Sequence, residues 1–260
     1  MPRFKLTLEY AGTRYSGWQI QTNARTIQGE LNRAVSAAFG VKRPETYGAG
    51  RTDAGVHALG QVAHLDLPSV VPPATLLRRL NQQLPADINI LDVERVPARF
   101  HARHSAVARS YVYQFAERRT AFAKPFVWWV QDALDLDRMQ EAARAFVGFA
   151  DFRAFTDDDP AEKSTTVKIE RVRLVRDGRL ILLQVVGSHF LWKMVRRLAG
   201  VLAEVGRGGL DPAAVPDLLT RDSDLPPRLT APASGLFLER VFYEPVPADL
   251  PITPAVVRLA

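Results

Sequence analysis

Between residues 48 and 57 the chain reads Gly-Ala-Gly-Arg-Thr-Asp-Ala-Gly-Val-His. Three glycines bracket one acid, Asp53, and one strong base, Arg51, on a loop-like stretch of the kind that displays functional groups. Gly50 and Gly55 have phosphate-loop spacing, but Val56-His57 stands where Lys-Ser/Thr must be. No helical pattern starts there, so the dinucleotide fingerprint fails as well. What remains is a carboxylate with an arginine two residues before it. On extended backbone, positions i and i+2 share a face, so Arg51 and Asp53 can point into one cleft. A neighbouring guanidinium favours the ionised carboxylate, suited to act as nucleophile or electrostatic stabiliser rather than as proton donor. An Asp beside Gly also serves to cap a turn, and the residues alone leave both readings standing.

Two further stretches carry candidate groups. Arg109, Tyr111 and Tyr113 alternate on one face of a strand pattern, as in sheets that stack bases on aromatic rings, and equally as in an ordinary core. In Phe190 to Gly206 a helical stripe runs through Leu191, Met194, Val195 and Leu198, with Arg196 at its edge. That arginine is either a solvated charge or a partner for a carboxylate. His101 and His104 have a ligand-pair spacing, but nothing nearby in the sequence completes a metal site, and the five histidines read as loop or RNA-facing residues.

The elements that must position these groups follow one order twice. Residues 3–10 alternate as a strand, and Thr26 caps a helix with Ile27, Leu31, Ala34, Val35 and Ala38 on one face. A short strand precedes the Gly-rich loop, and Gln61 to Leu67 follows it as another. Pro72-Pro73 opens a helix with Leu76, Leu77, Leu80 and Leu84 on one face, and Ile88 to Val96 is a strand. This is the β-α-β-β-α-β order of the split ferredoxin-like unit. After the polar connector Arg99 to Ala108 the order recurs. Arg109 to Phe115 is a strand and Asp137 to Phe146 a helix. A hairpin turns at Asp177-Gly178, the helix from Phe190 follows, then one over Pro212 to Leu219, and a last strand covers Leu236 to Tyr243. The expected architecture is α+β: two ferredoxin-like halves, residues 1–105 and 106–260, with antiparallel sheets side by side and a basic cleft between them.

Composition bounds the function. With 47% hydrophobic residues in 260, the chain can bury a substantial core. No apolar run approaches a membrane span, and the N-terminus has no signal-peptide core, so a soluble cytoplasmic protein is expected. Cysteine is absent, which excludes disulfides, thiol catalysis and Cys-ligated metals. The net charge is +6, and of 34 basic residues only six are Lys, so the excess is guanidinium. That suits a polyanionic partner, though a compositional preference for Arg explains it as well.

The residues quoted above do resemble a family. The stretch GAGRTDAGVHALGQVAHLD (48–66) is similar to the signature of the TruA family of tRNA pseudouridine synthases. So are LEYAGTRYSGWQIQ (8–21), FHARHSAVARSYVYQF (100–115), FLWKMVRRLAGVLAEVG (190–206) and APASGLFLERVFY (231–243), a resemblance over nearly the whole chain. It implies a cytoplasmic homodimer that isomerises uridine to pseudouridine in the anticodon stem-loop of tRNA, at nucleotides 38, 39 and 40, without cofactor or metal. By motif, Asp53 is then the catalytic aspartate and Tyr111 the tyrosine that stacks on the target base. Arg51 is the signature arginine beside the acid, and Arg196 is the arginine that pairs with the catalytic carboxylate. The chain departs from the family at Trp192-Lys193, where two histidines are common, and at Arg197, where Asn is usual. Asp157-Asp158-Asp159 is unusually acidic, and such a loop is expected to face away from bound RNA or to move. Other readings are a pseudouridine synthase acting at another RNA site and a non-catalytic RNA-binding protein.

Overall fold

The opening alternation forms strand β1 (Arg3–Tyr10), with Phe4, Leu6 and Leu8 fully buried and the intervening residues partly exposed. In the computed structural model, residues 1–256 and 259 are described. The chain divides into two compact units, residues 1–107 with 238–245, and residues 108–237 with those from 246 on. Residues 238–245, read from the sequence as the end of the second half, thus group with the first unit. The fold class is mixed α and β, with strands that pair mostly antiparallel.

In the first unit, helix α1 (Ile27–Phe39) starts where the Thr26 hydroxyl accepts from Gly29 N–H at 3.2 Å and ends at Gly40 in the left-handed region. Its five expected apolar residues are all buried. Strands β2 (Thr46–Gly48) and β3 (His57–Asp66) enclose the Gly-rich loop. Helix α2 (Pro73–Asn81) buries Leu76 and Leu80 and stops before the expected Leu84. There the Asn81 side chain bonds both main-chain groups of Ile90 in strand β4 (Ile88–Val96), at 2.7 and 2.8 Å. The strands run in the order β4-β1-β3-β2, every pair antiparallel. Strand β3 begins at His57, four residues before the apolar run at Gln61, because His57 turns inward and accepts from Gly12 N–H at 3.0 Å.

In the second unit, strand β5 (Ala108–Ala116) is buried along its whole length, and the two-residue strand β6 (Trp128–Trp129) pairs with its end in parallel. Helix α3 (Leu136–Ala143) is capped by Asp135 and continues as a 3-10 turn to Phe146. Strands β7 (Gly148–Asp151), β8 (Thr166–Asp177) and β9 (Leu180–Gly187) complete an antiparallel order β5-β9-β8-β7. The hairpin turn falls at Gly178, as expected. Helix α4 (Met194–Gly206) packs on α3, where Gly206 lies against Met139, and buries Leu198, Val201, Leu202 and Val205. It starts four residues later than the periodicity suggests, because Lys193 holds a left-handed conformation (φ 62°) that no helix continues through. The expected helix over Pro212 to Leu219 is two 3-10 turns, since Pro216 cannot donate to the turn before it. A short α5 (Leu225–Arg228) follows, then strand β10 (Leu236–Phe242), whose last residues lie beside β3.

Candidate active site

The loop between β2 and β3 is held by main chain on both flanks. Ala49 N–H donates to the Val62 carbonyl at 2.7 Å, Trp18 N–H to that of Thr52 at 3.0 Å, and Gly55 N–H to that of Tyr15 at 3.2 Å. The turn after Asp53 is closed by main chain too, Val56 N–H donating to the Asp53 carbonyl at 3.1 Å. Within the loop the side chains alternate. Thr52 turns inward to share a 2.9 Å hydrogen bond with the Tyr10 hydroxyl. Arg51, exposed, and Asp53, half-buried, therefore take the outward side. Gln61 completes the inner face, donating to the Gly50 carbonyl at 3.0 Å and to Tyr10 at 3.3 Å. Burial pushes the Tyr10 phenol up to about 12, against the opposing pull of Thr52 and Gln61, so it stays a neutral hydroxyl.

The wall behind this loop is the segment from Gly12 to Gln19. A Cβ on Gly12 would lie 1.9 Å from the Val56 carbonyl oxygen. One on Gly17, at φ +86°, would lie 2.5 Å from the Thr52 oxygen. Two backbones here are in direct contact. Gln19 then reaches out: its side-chain carbonyl accepts from Arg51 Nε at 3.0 Å, and its amide donates to Gln28 on α1 at 2.9 Å. Gln28 in turn donates to the Thr46 carbonyl at 2.6 Å. The sequence reading singled out Arg51 and Asp53 but missed Gly12, Gly17, Gln19 and Thr52 as their support. The available signal was Gly-x-x-x-x-Gly-Trp directly after a strand ending in Tyr10, a glycine pair with no turn pattern of its own.

In the second unit, Tyr111 lies on β5 opposite Val185, 8% exposed, its ring edge-on to Phe190 with centroids 5.0 Å apart. Its two companions on that face have other tasks. Arg109 donates to the Ser188 carbonyl at 2.8 Å. Tyr113 is a core residue packed against Phe115 and Trp128, its hydroxyl donating to the Pro232 carbonyl at 2.8 Å, and burial pushes its phenol well up. Arg196 stands in the first turn of α4, half-buried, in a reciprocal pair with Ala231. Its Nε donates to the Ala231 carbonyl at 2.8 Å, and Ala231 N–H donates to its carbonyl at 3.1 Å. Ala231-Pro232 thereby joins α4 to β5, so that Tyr111 and Arg196 sit on elements tied to one short segment.

The acidic stretch and the unusual residues at 192–197 account for each other. Asp157 pairs with Lys193 Nζ at 2.6 Å and with the buried Arg197 guanidinium. Burial opposes its ionisation, but these two cations outweigh that and hold its carboxyl below the usual range. Asp158 pairs with Lys163 at 2.8 Å and accepts from Trp192 N–H at 3.0 Å. The first two charges of this loop are thus met by cations of the same chain, on α4 and at Lys163.

For two of the five histidines the expectation of loop residues is corrected. His57 and His64 are core residues of β3, 1% and 2% exposed. A third ring does reach the His101/His104 pair: His64 lies 4.6 Å from His101, and His101 4.3 Å from His104. Their Nδ1 atoms, however, accept main-chain N–H groups, of Ala102 for His64, and of Arg103 and His104 for His101. Among the described residues no group of three or more His, Asp or Glu is arranged to hold a metal. Burial, then the charge of Arg3, pushes His64 down to about 4, with His101 adding to the effect and Asp66 opposing it.

Comparison with known proteins gives one answer. The family model described as tRNA pseudouridine synthase matches residues 7–105 and 142–244. A tRNA pseudouridine synthase A of Geotalea uraniireducens is 42% identical over 245 residues, covering 94% of this chain and 100% of that protein. One of Rhodopseudomonas palustris is likewise 42% identical over 247 residues, again covering 94% and 100%. A tRNA pseudouridine synthase A 2 of Bacillus cereus is 38% identical over 246 residues, with the same coverage. The matched residues include the loop around Asp53 and the first turn of α4.

Proposed function

The chain belongs to the tRNA pseudouridine synthase family, and from that premise we propose that it isomerises uridine in the anticodon stem-loop of tRNA, at nucleotides 38, 39 and 40, with Asp53 as the catalytic carboxylate. The observation that carries the assignment of Asp53 is its setting: an acid on the outward side of a loop clamped by main-chain bonds along both flanks. A residue so placed keeps its geometry while a large polyanion binds and leaves.

The reaction is an isomerisation. The N1–C1′ bond breaks, the freed uracil turns, C5 bonds to C1′, the C5 proton leaves and N1 gains one. Atoms and electrons balance without an outside reactant. Asp53 serves the C1′ end, either by bonding to C1′ or by taking a ribose proton to give a glycal-like intermediate. Arg51, donating to Gln19, braces the loop and supplies positive charge for the phosphates beside the target. In this reading Tyr111 stacks on the uracil and Arg196 pairs with the catalytic carboxylate. Taking a base out of its stack costs a few kcal/mol, and stacking on an aromatic ring returns about 1–3 kcal/mol. Tyr111, pinned by Phe190, is also the candidate to accept the C5 proton.

The finer architecture belongs to the same proposal. The order β4-β1-β3-β2 of the first unit supports a ferredoxin-like half there. With a second such half, the two would flank a basic cleft for the RNA, in a cytoplasmic homodimer. Among the described residues no helix is long and apolar enough to cross a membrane.

The test is tritium release from tRNA carrying 5-tritiated uridine, with wild type and Asp53→Asn side by side. Wild type should release tritium and the variant should not, while both retain tRNA. Substantial release by the variant would remove Asp53 from the chemistry. Tight binding with no release by wild type would favour an RNA-binding protein, or another RNA as substrate.

A further inference from the structure

Helix α4 begins without a side-chain cap, after a lysine in a conformation that L-residues rarely adopt. Something outside the helix must hold that start. Asp157 reaches the side chains of Lys193 and Arg197, one helical turn apart, with Arg196 between them on the sequence. Asp158 Oδ2 takes the N–H of Trp192, just ahead of Lys193, and is anchored in turn by Lys163 Nζ at 2.8 Å and by the Thr156 hydroxyl at 3.2 Å. Arg197 is 3% exposed, so its guanidinium depends on Asp157 for its counter-charge. Asp159, the third acid, accepts from Ala161 N–H at 2.8 Å and closes the loop on itself.

We propose that the 156–163 loop is a positioning clamp: Asp157 and Asp158 lock the turn Trp192–Arg197 and thereby set the direction of Arg196. Asp157 and Asp158 are positioning residues, and the inference rests on Arg196 serving the uridine. The arrangement also places acidic side chains in an RNA enzyme without leaving their charge to repel phosphate, because two of the three meet cations of their own chain. Lys193, held at φ 62° by its bond to Asp157, is the strained member, and the clamp is what keeps it there.

The experiment measures single-turnover rate at saturating enzyme, together with tRNA affinity, for Asp157→Asn in wild-type and in Arg196→Ala backgrounds. In the wild-type background the rate should fall about tenfold with affinity changed less than about twofold, because the loss is one of aim. In the Arg196→Ala background the same substitution should leave the already lowered rate unchanged within about twofold. An equal loss in both backgrounds, or none in the first, overturns the clamp. A wild-type rate for Arg196→Ala alone overturns instead the reading of Arg196 on which the clamp rests. Lys193→Met guards against misfolding, since it leaves the buried Arg197–Asp157 pair intact. It should lower the rate about threefold, again only when Arg196 is present. An effect on affinity alone would make Lys193 a phosphate contact and would overturn its place in the clamp.

Discussion

The loop of Asp53 and the first turn of α4 are two solutions to the same problem, holding a charged side chain still. The first is built from main chain: carbonyl-to-amide bonds on both flanks and two glycines that let backbones touch. The second is built from side-chain charge: two aspartates gripping Lys193, Arg197 and the N–H of Trp192. Main-chain bonds have no titration and little salt dependence, but they tolerate no added atom. Charge pairs tolerate substitution in steps, yet they respond to pH and to the loss of either partner. The two regions should therefore fail differently.

The largest effect is expected at Gly12. In Gly12→Ala the new methyl carbon meets the Val56 carbonyl oxygen at 1.9 Å, a main-chain atom that can yield only by moving the loop. Overpacking of this kind costs about 3 kcal/mol, and a shift near 1 Å at Asp53 costs about 100-fold in rate. Gly17→Ala, at 2.5 Å and φ +86°, should follow the same pattern. Denaturant midpoints and single-turnover rates read both. A Gly12→Ala enzyme with unchanged rate would break the contrast at its first term, because the loop would then be as forgiving as a charged one.

How much of this was legible beforehand differs by region, for a physical reason. The strand and helix faces were readable because burial follows period, so Phe4, Leu6, Leu8 and the α1 stripe stand where alternation puts them. Arg51 and Asp53 were visible as types on a glycine-rich loop. Their wall was not, because a glycine needed for close approach looks like any other until its neighbour is known. At α4 the sequence showed the acids at 157–159 and the cations at 193 and 197 as separate oddities. Nothing local joins residues 36 or more apart, so only the fold could pair them. The helix start was misread for a related reason: Leu191 keeps the apolar stripe and is buried, but its backbone is not helical. His64 was misread because a buried, stacked imidazole leaves no trace in a spacing pattern.

Acid separates the regions next. His64 is neutral in the folded chain, pushed down to about 4 from 6.5, so the unfolded chain binds the extra proton first. Stability is complete above the unfolded value and falls as pH drops from about 6.5 towards 4, by about 2 kcal/mol between pH 7 and pH 5. Asp157 and Asp158 are also shifted down, held below the usual carboxylate range in the fold, so their window lies at lower pH. Their contribution is present above the unfolded carboxylate value near 4 and is lost only below it. Urea midpoints followed from pH 7 to pH 3 should show the first unit weakening in the upper window and the second in the lower. His64→Gln should flatten the upper slope and leave the lower one. A slope that survives His64→Gln would assign the upper window to another group.

The smallest effect sharpens the comparison at the point where both kinds of support meet. Tyr113→Phe removes one hydroxyl, the donor to the Pro232 carbonyl, and with it one part-buried hydrogen bond, at a cost of about 1 kcal/mol. Ala231, the residue before it, exchanges two hydrogen bonds with Arg196, so the substitution loosens the main-chain side of the Arg196 mount and leaves Asp157 untouched. If the mount has two supports, the rate should fall by a few-fold while affinity for tRNA holds. That loss should multiply with that of Asp157→Asn more than independently. A rate equal to wild type, with the 1 kcal/mol destabilisation present, would show that the charge clamp alone aims Arg196. The segment Ala231-Pro232 would then join β5 to α4 for stability only, and the second region would hold its residue by charge without any share of the main-chain support that fixes the first.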